Sequence, residues 1–260
     1  MKLITLLFIF ISSTSQAANK SQHKGLVSSL NLGVRYSSVY ENRGIILYDD
    51  YQLDPVLGIF LLDDHIQFLG DSIGYHNFLI SDWLRFRVRA VSITDKPLFP
   101  SSDQKKLLSV RREDTYELST RLEFFLPGYN DEYKAEIDIG YAKDMSVHYG
   151  NYLDLQTKIK IMDFRMPFSD TKIEPQFYTT IGWGDRSHNK YFYGPSVDAA
   201  NFNNFSYGLW FSFPDEADRN FPIIQIRHFE VLGDSRMGQY AKEHDQGWLI
   251  SAIMTYGVLE

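Results

Sequence analysis

The chain has 260 residues, with 26 Lys and Arg against 33 Asp and Glu, and no Cys. The acidic balance argues against a nucleic-acid partner, and the lack of Cys removes disulfides, thiolate metal sites and cysteine nucleophiles. Mean hydropathy is −0.27, a value typical of soluble domains, yet 19 Phe, 17 Tyr and 4 Trp fit a barrel with one apolar face and one wet face.

At the N-terminus, Lys2 precedes the apolar run Leu3 to Ile11, and Ser15-Gln16-Ala17 has the small-x-small form of a cleavage site. Residues 1–17 therefore read as a secretory signal peptide, too short to span a bilayer as a helix. Residues 18–260 read as one domain. No later apolar run reaches the roughly 18 residues that a spanning helix needs.

From there on the dominant period is two. In residues 26–36, Leu26, Leu30, Leu32, Val34 and Tyr36 share one side, and Ser29, Asn31, Gly33 and Arg35 the other. In residues 83–91, Leu84, Phe86, Val88 and Ala90 alternate with Arg85, Arg87 and Arg89. A helix would scatter those arginines, whereas a strand sends all three to one face. Residues 115–126 set Tyr116, Leu118, Leu122 and Phe124 against Glu117, Ser119, Arg121 and Glu123. Residues 133–141 set Ala135, Ile137 and Ile139 against Lys134, Glu136 and Asp138, and residues 152–161 set Leu153, Leu155, Ile159 and Ile161 against Asp154, Gln156, Lys158 and Lys160. Further strands are predicted at 173–183, 205–213, 222–231 and 248–256.

A soluble β-sandwich also alternates, but three features favour a transmembrane antiparallel β-barrel. The strands run to about 9–12 residues, the length needed to cross hydrocarbon at a tilt. Rings gather at strand ends as an aromatic girdle, Trp248 and Tyr256 in the last strand among them. Connections alternate in length: 95–113, 185–203 and 233–246 are long and 143–151 is medium, while 127–131, 163–171 and 214–220 are short, as outer loops and periplasmic turns do. This phase, with both ends in the periplasm, predicts about twelve strands if 44–62 splits at a turn near Asp49-Asp50-Tyr51, and ten if 44–50 is only loop. Within 183–196, Trp183 then ends a strand at the outer interface, and Tyr191-Phe192-Tyr193 folds back near the belt before Gly194-Pro195 turns the chain.

Residues 181–196, preceded by the strand opening Ile173-Glu174-Pro175, resemble the MipA/OmpV family of outer-membrane proteins. Pro175, Trp183, Asn189, Tyr191, Phe192, Tyr193 and Gly194 match the family's element, with Pro195 in place of its usual valine. Residues 51–58 and 70–75, Arg112-Glu113-Asp114-Thr115, and Gly233-Asp234-Ser235 through Gly247-Trp248-Leu249-Ile250 are similar to further family segments in order. The resemblance implies a non-enzymatic barrel without a cofactor. One branch implies a scaffold joining a membrane-bound lytic transglycosylase to a bifunctional penicillin-binding protein; the other implies surface antigens, some of them adhesins. Family members usually end in an aromatic residue, whereas here Tyr256 is the last ring before Gly257-Val258-Leu259-Glu260.

The candidate functional residues follow from this topology. Arg85, Arg87, Arg89, Glu117, Arg121, Glu123, Lys134, Glu136, Lys158 and Lys160 are predicted to face the lumen, either as an ion-paired filling or as a charge-selective pore with an arginine stripe opposite an acidic one. About twelve strands leave little open bore, so the paired filling is preferred and a narrow porin is the alternative. Docking of murein enzymes would use the periplasmic turns, with Asp215, Glu216 and Asp218, and the stretch Ala18 to Lys24. A hydrolase is the remote alternative, from Asp63-Asp64-His65 with His244-Asp245 in two outer loops, or from Ser146 with His148. Turn chemistry accounts for these groups as well, and the other histidines lack metal-ligand spacing.

Overall fold

A computed structural model describes residues 27–48, 51–62, 65–70, 72–80, 83–94, 112–127, 133–165, 172–213, 223–241 and 245–259. Fifteen strands and one α-helix follow in order: β1 (Val27–Ser37), β2 (Tyr40–Asn42), β3 (Ile45–Tyr48), β4 (Gln52–Leu61), β5 (Ile66–Leu69), β6 (Ser72–Ile80), β7 (Leu84–Ile93), β8 (Thr115–Pro127), β9 (Tyr133–Asp144), β10 (Asn151–Lys160), β11 (Phe164–Arg165), β12 (Lys172–Gly184), α1 (Arg186–Tyr193), β13 (Asn201–Ser212), β14 (Ile223–Val231) and β15 (Gln246–Leu259).

Twelve of these strands close into an antiparallel barrel of the outer-membrane type. Each wall strand pairs with the next wall strand in the chain, β10 pairs with β12, and β15 returns to β1. Closure leaves no edge, so backbone donors and acceptors are satisfied within the wall. β1 begins and β15 ends at the same rim, here the terminal rim. The connections β7–β8, β9–β10, β12–β13 and β14–β15 all lie at the opposite, distal rim, in the phase predicted from loop lengths.

The alternation that the sequence carries becomes an inverted distribution of polarity. Val34 and Ile159 are each 51% exposed on the outer face, while Glu123 and Asp138 are each 1% exposed inside. Leu53, Ile139, Leu155 and Ile250 share the outer face. Transfer of an aliphatic side chain of this size from water to hydrocarbon is worth about 1.5–3 kcal/mol. Rings mark the distal end of the wall: Tyr36 stacks on Tyr51 with centroids 6.4 Å apart, and Trp248 packs against His228 at 5.1 Å and Tyr207 at 6.3 Å. Tyr256 lies in β15 opposite Leu32, but its side chain lies outside the described residues.

The strand count of twelve is reached by a different route from the predicted one. Residues 44–62 do not split into two wall strands. Arg43 and Gly44 both have positive φ (55° and 84°), the geometry of a two-residue type I′ hairpin, so β2 and β3 form a small sheet of their own. β4 is one wall strand, and the extra crossing is the four-residue β5, which turns back at Gly70 (φ 58°) into β6. Leu62 and His65 therefore lie at the terminal rim, not in an outer loop. Pro175 sits where it costs least: β12 pairs with β10 as far as Gln176 and with β11 from Ile173, so the residue without an N–H falls between the two ladders.

An Ile139→Arg substitution, at mid-strand on the outer face, is expected to destabilise the barrel by about 2–4 kcal/mol in lipid, and Met145→Arg in a distal loop by about 0–1 kcal/mol. Equilibrium unfolding from liposomes checks the difference.

Candidate functional site

The lumen is the place where the wall must bury charge. β7 and β8 are in register so that Arg85 stands opposite Glu123 and Arg87 opposite Arg121. Glu123 accepts from both Arg85 and Arg87. Arg121 reaches Asp154 at 2.7 Å and Asp138 at 3.5 Å, and Lys158 reaches Glu136 at 2.7 Å and Asp138 at 3.4 Å. Across β1 and β4, Arg35 pairs with Asp54 at 2.5 Å. Towards the terminal rim, Lys160 lies 3.8 Å from Glu174 and 3.7 Å from Asp163. Arg89 lines the same interior, and Lys134 is exposed near the terminal rim. Asp138 and Asp154, on the same face of the alternation as Glu136 and Lys158, complete the network.

Among the described residues the inward cations and acids of β7 to β10 lie side by side on one arc, so no arginine stripe there stands across the bore from an acidic one. The facing arc carries Tyr178, Trp210, Gln225 and Phe229 around a cavity of about 350 Å³. A buried ion pair adds little net stability but is costly to break, about 3–5 kcal/mol when one partner is removed.

The distal mouth is built from loops. Asp185 caps α1: its side chain accepts the His188 N–H at 2.9 Å and the Asn151 N–H at 2.8 Å. Asn189 donates to the carbonyls of Gly184 and Ala199 and accepts from Asn203, tying both ends of the connection. Gly194 (φ 113°) ends the helix. Phe192 and Tyr193 are wholly buried and pack with Ile45, Ile93, Val197, Val231 and Ala241. These two rings thus form the apolar cap of the mouth and not part of the outward-facing belt; an amphipathic helix, not a strand end, carries them inward. Tyr191 is half-buried, stacked on His148 at 4.4 Å, with its hydroxyl donating to the Glu113 carbonyl. Trp183 lies on the outward face of β12 at its distal end, and Trp248 is exposed in the belt.

The β2–β3 hairpin enters this mouth at its tip. Arg43 donates to Glu117 at 2.7 Å and lies 3.7 Å above the Tyr152 ring, while the Tyr193 hydroxyl donates to the Arg43 carbonyl at 2.9 Å. No local pattern marks Arg43 as a lumen residue; the only sequence signal is the turn-forming Arg43-Gly44 pair.

Two histidines lie under the cap. His188 is buried between Tyr152 and Phe192, with centroids 4.9 and 4.4 Å away, and neither ring nitrogen has a hydrogen-bond partner. Its pKa is held well below the ordinary value by burial, aided by Arg43, His148 and Arg112. His148 is lowered to about 4, first by burial, with Asp144 opposing and Arg43 and Arg112 reinforcing.

The hydrolase arrangements do not assemble. His65 and Asp245 lie at opposite rims, and Asp63, Asp64 and His244 lie outside the described residues. Asp144 stands between Ser146 and His148: the Ser146 hydroxyl bonds Asp144 at 3.2 Å and Thr115 at 3.0 Å, and His148 Nδ1 accepts from Gly150 N–H at 3.0 Å. A catalytic triad needs the histidine in the middle. Asp144 instead accepts the N–H groups of Ser146, Val147, His148 and Tyr149, which holds the loop. The predicted docking residues Asp215, Glu216 and Asp218, the stretch 18–24 and the signal 1–17 lie outside the described residues.

No family model matches the chain, and no curated protein matches it.

Since both histidines titrate below their unfolded value near 6.5, their contribution to stability is full above that pH and is lost as pH falls towards about 4. The urea midpoint in detergent is expected to drop across this window. His188→Phe, which keeps the ring packing without the titrating nitrogen, should show a shallower drop; parallel profiles for the two proteins would contradict the assignment.

Proposed function

We propose that the chain is an exported outer-membrane barrel of the MipA/OmpV kind that acts as a structural and docking protein, without a cofactor or catalysis of its own. In this reading the terminal rim faces the periplasm and the distal mouth faces outward, with outer-membrane lipid against the exposed aliphatic wall. The observation that carries it is the closed mouth over a charge-paired lumen. Ile45, Phe192, Tyr193 and Val231 are packed to within 2% of full burial across the bore, and the charges beneath them are spent on one another. Among the described residues, such packing favours the rims over the bore as the surface offered to partners.

The partners proposed from the family resemblance are a lytic transglycosylase and a bifunctional penicillin-binding protein. They would dock at the periplasmic turns, Asp215, Glu216 and Asp218 among them, and at residues 18–24. The non-catalytic reading is supported by Asp144 separating Ser146 from His148. The alternative of a narrow porin draws on the cavity of about 350 Å³ beneath the cap, and the surface-antigen alternative on the distal loops.

In planar bilayers the purified barrel is expected to show almost no conductance, and replacing residues 40–48 with a short Gly-Ser linker should produce discrete openings. Sustained conductance of the unmodified protein would favour the porin. Crosslinking in intact envelopes, followed by capture after charge reversal at Asp215, Glu216 and Asp218, tests the docking face; unchanged capture of both murein enzymes would count against those turns.

A further inference from the structure

We propose that Glu117, His148 and His188 form a binding site for one divalent transition-metal ion of zinc-like chemistry, set inside the distal mouth. The ion would tie β8, the loop 145–150 and α1 to one another. The inference is independent of which partners the barrel has.

One ligand atom from each of the three side chains lies within 4.8 Å of those of the other two. Zinc–nitrogen and zinc–oxygen bonds of about 2.0–2.1 Å in a tetrahedral site put ligand atoms about 3.3 Å apart, so closure of up to about 1.5 Å is required. Two of the three ligands come from connections and not from the wall, where such a shift is easiest.

His188 is the observation that points to an ion. It is 0% exposed, and both its ring nitrogens lack a hydrogen-bond partner; His148 Nε2 makes no hydrogen bond but lies 3.6 Å from Asp144 Oδ2. Buried polar atoms are almost always paired, and an unpaired one in a native fold is accounted for by a water or an ion. Stacking between Tyr152 and Phe192 does not account for it, since a phenyl ring would stack there without two unsatisfied nitrogens.

The surroundings supply supporting contacts. Asp144 fixes the His148 loop through four backbone N–H groups, and Asp185 caps the helix at the His188 N–H. Arg43 bonds Glu117 through Oε2, and a carboxylate can hold a guanidinium on one oxygen and an ion on the other. A Cβ at Gly150 would collide with the His188 backbone and with His148 Nδ1, so glycine lets the two histidine segments meet. Gly150 N–H bonds His148 Nδ1, which puts that ring's proton on Nε2. Ligation through Nε2 moves the proton to Nδ1 and gives up this one hydrogen bond in exchange for a metal–nitrogen bond. Two imidazole nitrogens and one carboxylate oxygen suit Zn²⁺, Co²⁺ or Ni²⁺, whereas Ca²⁺ and Mg²⁺ require oxygen ligands.

The test uses the mature chain refolded in detergent, stripped with a chelator, with its fold verified by heat-modifiable migration on gels. Titration with Co²⁺ should give the visible absorption bands of a tetrahedral nitrogen–oxygen site, saturating at one equivalent and displaced by Zn²⁺. Zn²⁺ should raise the melting temperature, and Ca²⁺ and Mg²⁺ should not. Loss of an outer-shell partner typically weakens a metal site by about 10–100-fold, so His188→Phe, His148→Gln and Glu117→Gln should each weaken Co²⁺ binding by about a hundredfold or more. No cobalt bands with the unmodified chain would overturn the proposal. So would unchanged affinity in whichever of the three variants folds, or equal stabilisation by Ca²⁺.

Discussion

A closed antiparallel wall allows each side chain only two destinations. With a repeat of two residues and no edge, a strand residue points either outward or into the lumen. The charges carried at mid-wall are placed inside, and there they are neutralised by a neighbour. The pairs Arg35–Asp54, Arg85–Glu123, Arg121–Asp154 and Lys158–Glu136 all join adjacent wall strands or strands one apart. The lumen is thereby filled from its walls, and the filling couples the strands that line it.

The distal mouth obeys the opposite rule. There the apolar residues of the loops turn inward and make a small core of the kind found in soluble domains. Ile45 from the hairpin, Phe192 and Tyr193 from α1, and Val231 from β14 come together there. Arg43 links the two regimes: its backbone is held by the cap through Tyr193, and its side chain joins the lumen network through Glu117. Closure at the mouth and pairing in the lumen are thus parts of one packed unit.

The wall was legible in the sequence because its signal is local. Three arginines alternating with Leu84, Phe86, Val88 and Ala90 identify strand and inner face within nine residues, and loop lengths then set the phase of the remaining strands. The mouth was not legible, because what places its residues is distant contact. Glu117 and Arg43 are 74 residues apart in sequence, and Tyr193 and Arg43 are 150 apart. Even so, α1 carried a signal in Asp185 and Gly194, an N-cap acid and a terminating glycine around eight residues, which the run of rings at 191–193 obscured by its likeness to a girdle. The hairpin at 40–48 was misplaced for a related reason: its alternation resembles a wall strand, and only the positive φ of Arg43 and Gly44 marks it as a turn.

The inverted polarity of the wall is the claim on which the lumen and the mouth both depend, and the absence of native cysteine makes it directly measurable. Single cysteines at positions 118, 119, 155, 156 and 159, labelled with a nitroxide in liposomes, report collision with lipid-dissolved oxygen against a water-soluble nickel chelate. The account predicts high oxygen access at 118, 155 and 159 and low access at 119 and 156. Equal access at all five positions, or nickel access at 155 and 159, would contradict it.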